Sequence, residues 1–196
     1  MLIKASRITN LTDARYFAAK EVDFLGFNLE EGTEGYLDPM YMKAIREWVA
    51  GPKIVGEFSR SSLDYVREAA AFFGLDAVQV TTDSVSQLAV LEGLDVILES
   101  GENEPGFFRE AAPFVSFFLM KMNAGLQNSW TEQIQFLKTI CAEYPVLLQT
   151  DAVAGQLSDM LEVIKPAGLS LVGGGEETVG VKSFDEIEAI FEALGR

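Results

Sequence analysis

Lys4, Ser6 and Arg7 stand together at the end of the first apolar run, and this trio has the residue types of a proton-handling group. A serine hydroxyl is a poor base unless a neighbour activates it, and Lys4 is the one nearby candidate. Without activation, Lys4 and Ser6 are inward side chains that satisfy one another or water. Arg7 either contacts an anion or pairs with one of the many carboxylates. Glu57, Glu99 and Asp151 lie near the ends of later apolar runs, where oxygen ligands could hold Mg²⁺ or a cationic substrate. No spacing motif links them, so no metal and no cofactor are expected. Gly173, Gly174 and Gly175 can present backbone N–H groups to an anion or simply make a tight turn. Glu176 and Glu177 follow directly and counter the field of such a turn.

Composition narrows the chemistry further. Histidine is absent, so acid or base work falls to Asp, Glu, Lys, Tyr or Ser. The single cysteine, Cys141, lies in a helical stretch and excludes an internal disulfide; it is expected to be a packed, inert thiol. Fifteen basic against thirty acidic side chains leave a formal charge of -15, which repels nucleic acid and anionic lipid alike. No apolar stretch is long enough to span a bilayer and the N-terminus lacks a secretory pattern, so a cytoplasmic protein is expected.

The elements that must position these residues alternate along the chain. Apolar runs at 2–8, 23–29, 53–58, 76–81, 94–99, 114–120, 145–150 and 168–173 read as strands. Helical periodicity marks 11–20, 39–49, 61–73, 84–92, 105–112, 131–143, 156–165 and 184–194. Asn10, Asp38, Ser61, Ser129 and Ser183 are candidate N-caps, Pro39 suits a first helical position, and Gly74 suits a helix end. Eight strand–helix units with no linker predict one domain over residues 1–196, an α/β (β/α)8 TIM barrel with parallel strands closed on themselves. An open doubly wound sheet is the competing architecture. In a barrel the site lies at the C-terminal ends of the strands, so a small-molecule ligand is expected at that face.

Several segments carry a family resemblance. Lys4-Ala5-Ser6-Arg7-Ile8-Thr9-Asn10 resembles a Lys-Ile-Cys-Gly-Ile-Thr-Asn opening, and Asp23-Phe24-Leu25-Gly26-Phe27 an Ala-Asp-x-x-Gly-Phe strand. Tyr36-Leu37-Asp38-Pro39 resembles Tyr-Val-Ser-Pro, Lys53-Ile54-Val55-Gly56-Glu57-Phe58 resembles Val-Val-Gly-Val-Phe, and Gly74-Leu75-Asp76-Ala77-Val78-Gln79-Val80 resembles Leu-Gly-Leu-Asp-Ala-Val-Gln-Leu. Over the whole chain the order and spacing resemble the phosphoribosylanthranilate isomerases of tryptophan biosynthesis. The resemblance implies an Amadori rearrangement in which a cysteine thiolate takes the proton and an aspartate ending strand six gives one.

At those positions this chain differs. Ser6 stands where the family has its cysteine. The strand-six acid aligns with Leu119, or with Phe118 or Met120 if the register slips by one. The family's basic second loop is here Glu30-Glu31-Gly32-Thr33-Glu34-Gly35, its strand-four histidine is Thr81 after Gln79, and its phosphate turn after strand seven holds Asp151. The resemblance thus implies Lys4, Ser6, Arg7, Gln79, Thr81 and Gly173, Gly174 and Gly175 as ligand contacts. Three readings follow: a binding or regulatory barrel that has lost the reaction, an enzyme of changed chemistry using strand-end carboxylates, or an isomerase with Glu99 or Asp151 as a displaced acid. A monomer or a homodimer is expected, with any exposed subset of the fourteen phenylalanines favouring the dimer.

Overall fold

A computed structural model describes residues 1–82, 84–101, 104–122, 130–150, 154–172, 176–178, 181–182 and 184–195. Eight parallel strands close into a barrel in sequence order: β1 (Leu2–Ser6), β2 (Phe24–Asn28), β3 (Lys53–Glu57), β4 (Ala77–Thr81), β5 (Asp95–Ser100), β6 (Phe117–Met122), β7 (Val146–Thr150) and β8 (Gly168–Val172). The ring is sealed by β1 against β8, with Leu2 opposite Gly168 and Ser6 opposite Val172. A short antiparallel pair, β9 (Glu176–Thr178) and β10 (Val181–Lys182), follows β8. The closed ring excludes the open sheet and leaves no exposed strand edge.

Around the barrel lie α1 (Leu11–Ala19), α2 (Pro39–Arg46), α3 (Leu63–Phe73), α4 (Pro105–Ala111), α5 (Trp130–Glu143), α6 (Ala154–Ile164) and α7 (Asp185–Ala193). Asn10 and Asp38 cap α1 and α2 through side-chain oxygens, and Pro39 opens α2. Ser62, not Ser61, caps α3, because the Ser61 hydroxyl is committed elsewhere. Gly74 ends α3 with φ 64°, a left-handed conformation open to glycine at little cost. Phe184 occupies the N-cap position of α7, and the candidate caps Ser129 and Ser183 lie outside the described residues. The fourth expected α-helix is a 3-10 helix over Val85–Leu91, a tighter winding that still buries Leu88 and Leu91. Between the two termini of the ring, α7 returns to α1: Glu188 accepts from Tyr16 at 2.7 Å and Phe184 stacks on Tyr16.

Alternate strand residues face the barrel axis, and along each strand they change character in the same direction. The sequence runs Leu2, Lys4, Ser6 on β1, Val55 then Glu57 on β3, Ala77 then Gln79 on β4, and Ile97 then Glu99 on β5. The lower residues form one apolar floor of Phe24, Val55, Ala77, Ile97, Leu119 and Leu147. The inward polar residues Ser6, Glu57, Gln79 and Glu99 stand above it, toward the C-terminal ends of the strands. At the opposite end, acids serve the fold: Asp23 accepts from the Ile3 N–H and Asp76 from the Ile54 N–H, each at 2.8 Å.

Candidate functional site

The deepest polar layer is built around a buried ion pair. Lys4, fully buried on β1, reaches across the interior to the Glu57 carboxylate on β3, and Gly26 on β2 lies between them. A Cβ at position 26 would collide with that carboxylate and lie 2.8 Å from Lys4 Nζ, so the glycine is required for the close approach. Lys4 Nζ also donates to Ser6 Oγ at 2.6 Å, and Ser6 Oγ shares a second hydrogen bond of 2.8 Å with Ser170 Oγ on β8. Glu57 Oε2 in turn accepts from the Arg7 backbone N–H at 3.3 Å. Lys4 and Ser6 therefore satisfy one another as inward side chains. The ammonium is a donor to Ser6, and that is the opposite of the activation a serine base needs.

A second acid–amine pair stands nearer the mouth. Glu99 on β5 accepts from Lys121 Nζ at 2.5 Å and from Gln79 Nε2 at 2.9 Å. Because Glu99 can only accept, this contact orients the Gln79 amide, and among the described residues its buried Oε1 has no partner. Thr81, one pleat further along β4, is exposed.

Leu119 does not reach this layer. It is fully buried in the apolar floor, Phe118 is packed in the main core, and Met120 joins that same core. The strand runs two residues beyond the apolar segment read from sequence, to Met122, so the β6 side chain at the mouth is Lys121. Inward alternation through Phe117, Leu119 and Lys121 was the signal that could have found it.

Above both pairs lies a cavity of about 240 Å³, lined from β1 by Ser6 and Arg7, from β2 and its loop by Asn28, Thr33 and Glu34, and from β3 and its loop by Glu57, Phe58, Ser59 and Arg60. Gln79, Glu99, Lys121 and Gln149 complete it from β4, β5, β6 and β7. Asn28, Arg60 and Lys121 were not singled out from sequence, whereas Thr33 and Glu34 were read as part of the acidic second loop. Asp151 and Gly173, Gly174 and Gly175 lie outside the described residues.

The second loop is less repulsive than its string of acids implies. Glu30 is buried, and its Oε2 accepts from the backbone N–H groups of Ser59, Arg60 and Ser61 at 2.9, 2.9 and 3.0 Å. Its Oε1 accepts from Ser61 Oγ at 2.9 Å. Burial pushes the Glu30 carboxyl up, but these donors outweigh it and hold the group below its ordinary range. Arg7 and Arg60 are exposed, and among the described residues neither guanidinium has an ion pair or hydrogen bond. Among the described residues the carboxylate pairing weighed for Arg7 is not made, and its backbone N–H meets Glu57. Cys141 is half-buried, far along the chain in α5, and burial pushes its thiol up to about 11, which keeps it protonated and inert. No group of three or more potential metal ligands occurs among the described residues.

The fold and the site now meet the comparisons. The chain is 22% identical to an N-(5'-phosphoribosyl)anthranilate isomerase of Maridesulfovibrio salexigens, across 100% of this chain and 99% of that protein. It is 25% identical to the corresponding protein of Chlorobium luteolum, across 98% and 96%. Along its whole length the chain is similar to the phosphoribosylanthranilate isomerases. Solved structures agree on the fold: the phosphoribosyl anthranilate isomerase of Thermus thermophilus superimposes with a TM-score of 0.78 at 23% identity, covering 100% of this chain and 98% of that one. That from Pyrococcus furiosus gives 0.76 at 15% identity, covering 100% and 98%. No family model matches the chain.

Proposed function

We propose that this phosphoribosylanthranilate isomerase-like barrel has lost the isomerase reaction and uses its mouth to bind a small polar molecule. The observation that carries the reading is the state of Ser6. Its Oγ is only 4% exposed as part of the residue and is held between the Lys4 ammonium and the Ser170 hydroxyl, where it accepts rather than abstracts. The strand-six position at the mouth holds Lys121, engaged by Glu99, in place of a free carboxylic acid. An acid and a base each contribute about 10²- to 10⁴-fold, so loss of both removes most of the acceleration. The cavity above remains shaped and polar, which supports retention of binding.

The test is direct. Purified protein is expected to show no phosphoribosylanthranilate isomerase activity above a trace and to leave a tryptophan auxotroph lacking that enzyme unrescued. Robust complementation overturns the reading.

One observation favours a second reading. Glu99 and Lys121 form an acid–amine pair on adjacent strand ends in the same cavity as Ser6, an arrangement able to move a proton. If activity is found, Glu99→Gln is expected to abolish it. Homodimerisation is supported by Phe72, 77% exposed on α3, and Trp48, 71% exposed after α2, together with a fold neighbour described as monomers generated from the dimeric enzyme of Thermotoga maritima.

A further inference from the structure

We propose that residues 30–36 are a strap across the β2–β3 side of the mouth, latched shut by the Glu30 carboxylate, and that release of the latch opens a way in to the Ser6 layer. The inference goes beyond the reading of the mouth as a binding site, and its test uses no ligand of that site. Leu29 and Leu37 anchor the two ends of the segment in the core. Between them the chain folds back on its own strand: Asn28 Nδ2 donates to Thr33 Oγ1 at 2.9 Å and to the Glu34 carbonyl at 2.8 Å, and the Leu37 N–H donates to the Asn28 carbonyl at 2.8 Å. Gly32 and Gly35, at φ 76° and 75°, allow turns this tight. Thr33 and Glu34, held between these glycines, are the part of the segment that lines the cavity.

One contact ties this segment to the neighbouring strand. Among the described residues, the hydrogen bonds that join 30–36 to the β3–α3 turn all end on the Glu30 carboxylate: the backbone N–H groups of Ser59, Arg60 and Ser61 donate to Oε2, and the Ser61 hydroxyl donates to Oε1. Ser59 and Arg60 line the cavity too, so the latch closes a seam between two pieces of its wall. Apolar packing does not hold it. Apart from Glu30, every residue of 30–36 is exposed or half-buried, and the one aromatic side chain among them, Tyr36, is 37% exposed. A segment that buries no apolar side chain of its own belongs to the low-stability end of a fold, where one polar contact sets the balance between closed and open. A charged acceptor with four donors is a contact of the strong kind. Ser6 lines the same cavity and is only 4% exposed, so the closed seam shuts off the layer on which the chemistry turns.

Residue-resolved amide hydrogen exchange of the full chain at pH 7 tests this, together with alkylation of Ser6→Cys by uncharged iodoacetamide, Cys141 being counted separately at the peptide level. Glu30→Gln keeps the shape of the side chain and removes its charge. It is expected to speed exchange at least about tenfold at Ser59, Arg60 and Ser61, and equally at Thr33, Tyr36 and Leu37, whose N–H groups are hydrogen-bonded within the β2–α2 loop. Alkylation at position 6 is expected to speed up by the same order. Ser61→Ala removes the Oε1 partner alone and is expected to move both readouts the same way, by at least about twofold. Asp23→Asn loses a carboxylate–amide contact at the opposite end of the barrel and is expected to leave both readouts unchanged, which separates opening of the strap from general loosening. Faster exchange at Ser59, Arg60 and Ser61 with Thr33, Tyr36 and Leu37 unmoved would make Glu30 a cap of the β3–α3 turn and overturn the proposal. So would an unchanged alkylation rate at position 6 in Glu30→Gln, or a rise of the same size in Asp23→Asn. Isomerase turnover by the wild-type chain would overturn the reading of lost activity and leave the strap standing, since neither readout involves substrate.

Discussion

Ser6 is the residue on which the chemistry turns, and its surroundings make a test at a single atom. The Lys4 ammonium lies 2.6 Å from Ser6 Oγ, so a thiol placed there meets a fixed positive charge. Ser6→Cys is expected to give a thiolate at a pH below the ordinary thiol range of about 8.5, read from thiolate absorbance or alkylation rate against pH. An ordinary or raised value would show that Lys4 no longer faces position 6. Turnover needs an acid as well, and the side chain to replace is Lys121, not Leu119. Ser6→Cys with Lys121→Asp is expected to give measurable isomerase activity, whereas Ser6→Cys with Leu119→Asp buries a carboxylate in the apolar floor and destabilises the fold.

Glu30 makes a second prediction at this scale. Its folded-state titration is depressed, so its contribution to stability is present above the unfolded value of 4.5 and is lost as pH falls through the lowered folded value. Glu30→Gln is expected to cost about 2–3 kcal/mol at pH 7, as for hydrogen bonds to a charged group. Urea unfolding should show that difference shrinking on acidification below about pH 4.5. A gap that is constant from pH 7 to pH 3 would remove the carboxylate from the account.

At the scale of the element, β2 and β6 are the informative strands. β2 carries no side chain at Gly26 because the Lys4–Glu57 pair passes there, so Gly26→Ala must displace one of the two charges. Breaking a buried pair costs about 3–5 kcal/mol, and a loss of that order is expected in chemical denaturation. A Gly26→Ala variant as stable as the parent would mean that the pair has room to shift. β6 bears both layers: Leu119 belongs to the floor and Lys121 to the mouth. Leu119→Ala is therefore expected to cost about 2–5 kcal/mol, and Lys121→Met much less, since its ion pair is half-exposed.

For the whole molecule, charge sets the response to solvent. The formal charge of -15 gives net self-repulsion in the compact state, while the described surface ion pairs are few and exposed. Raising NaCl from about 10 mM to about 500 mM shortens the Debye length from roughly 30 Å to well under 10 Å. The thermal midpoint is expected to rise with it. A fall would mean that attractive surface pairs outweigh the repulsion. No described helix is long and apolar enough to cross a membrane.

The eight-fold alternation, the caps at Asn10 and Asp38 and the helix end at Gly74 were all legible in the chain itself. Local periodicity and capping need only neighbouring residues, while closure rather than an open sheet was decided by the pairing of β1 with β8. The site was legible only in part. Lys4 with Ser6 could be read as a pair because two residues along one strand share a face, and Gln79 and Glu99 as polar residues near strand ends. What joined Lys4 to Glu57, Ser6 to Ser170 and Glu99 to Lys121 was the barrel, since these partners are 53, 164 and 22 residues apart. The 3-10 winding at Val85–Leu91 was likewise not legible in the chain. Nor was the depth of Leu119: a run of apolar letters does not tell which pleat is the floor and which the mouth until seven neighbouring strands fix the level at which each inward residue stands.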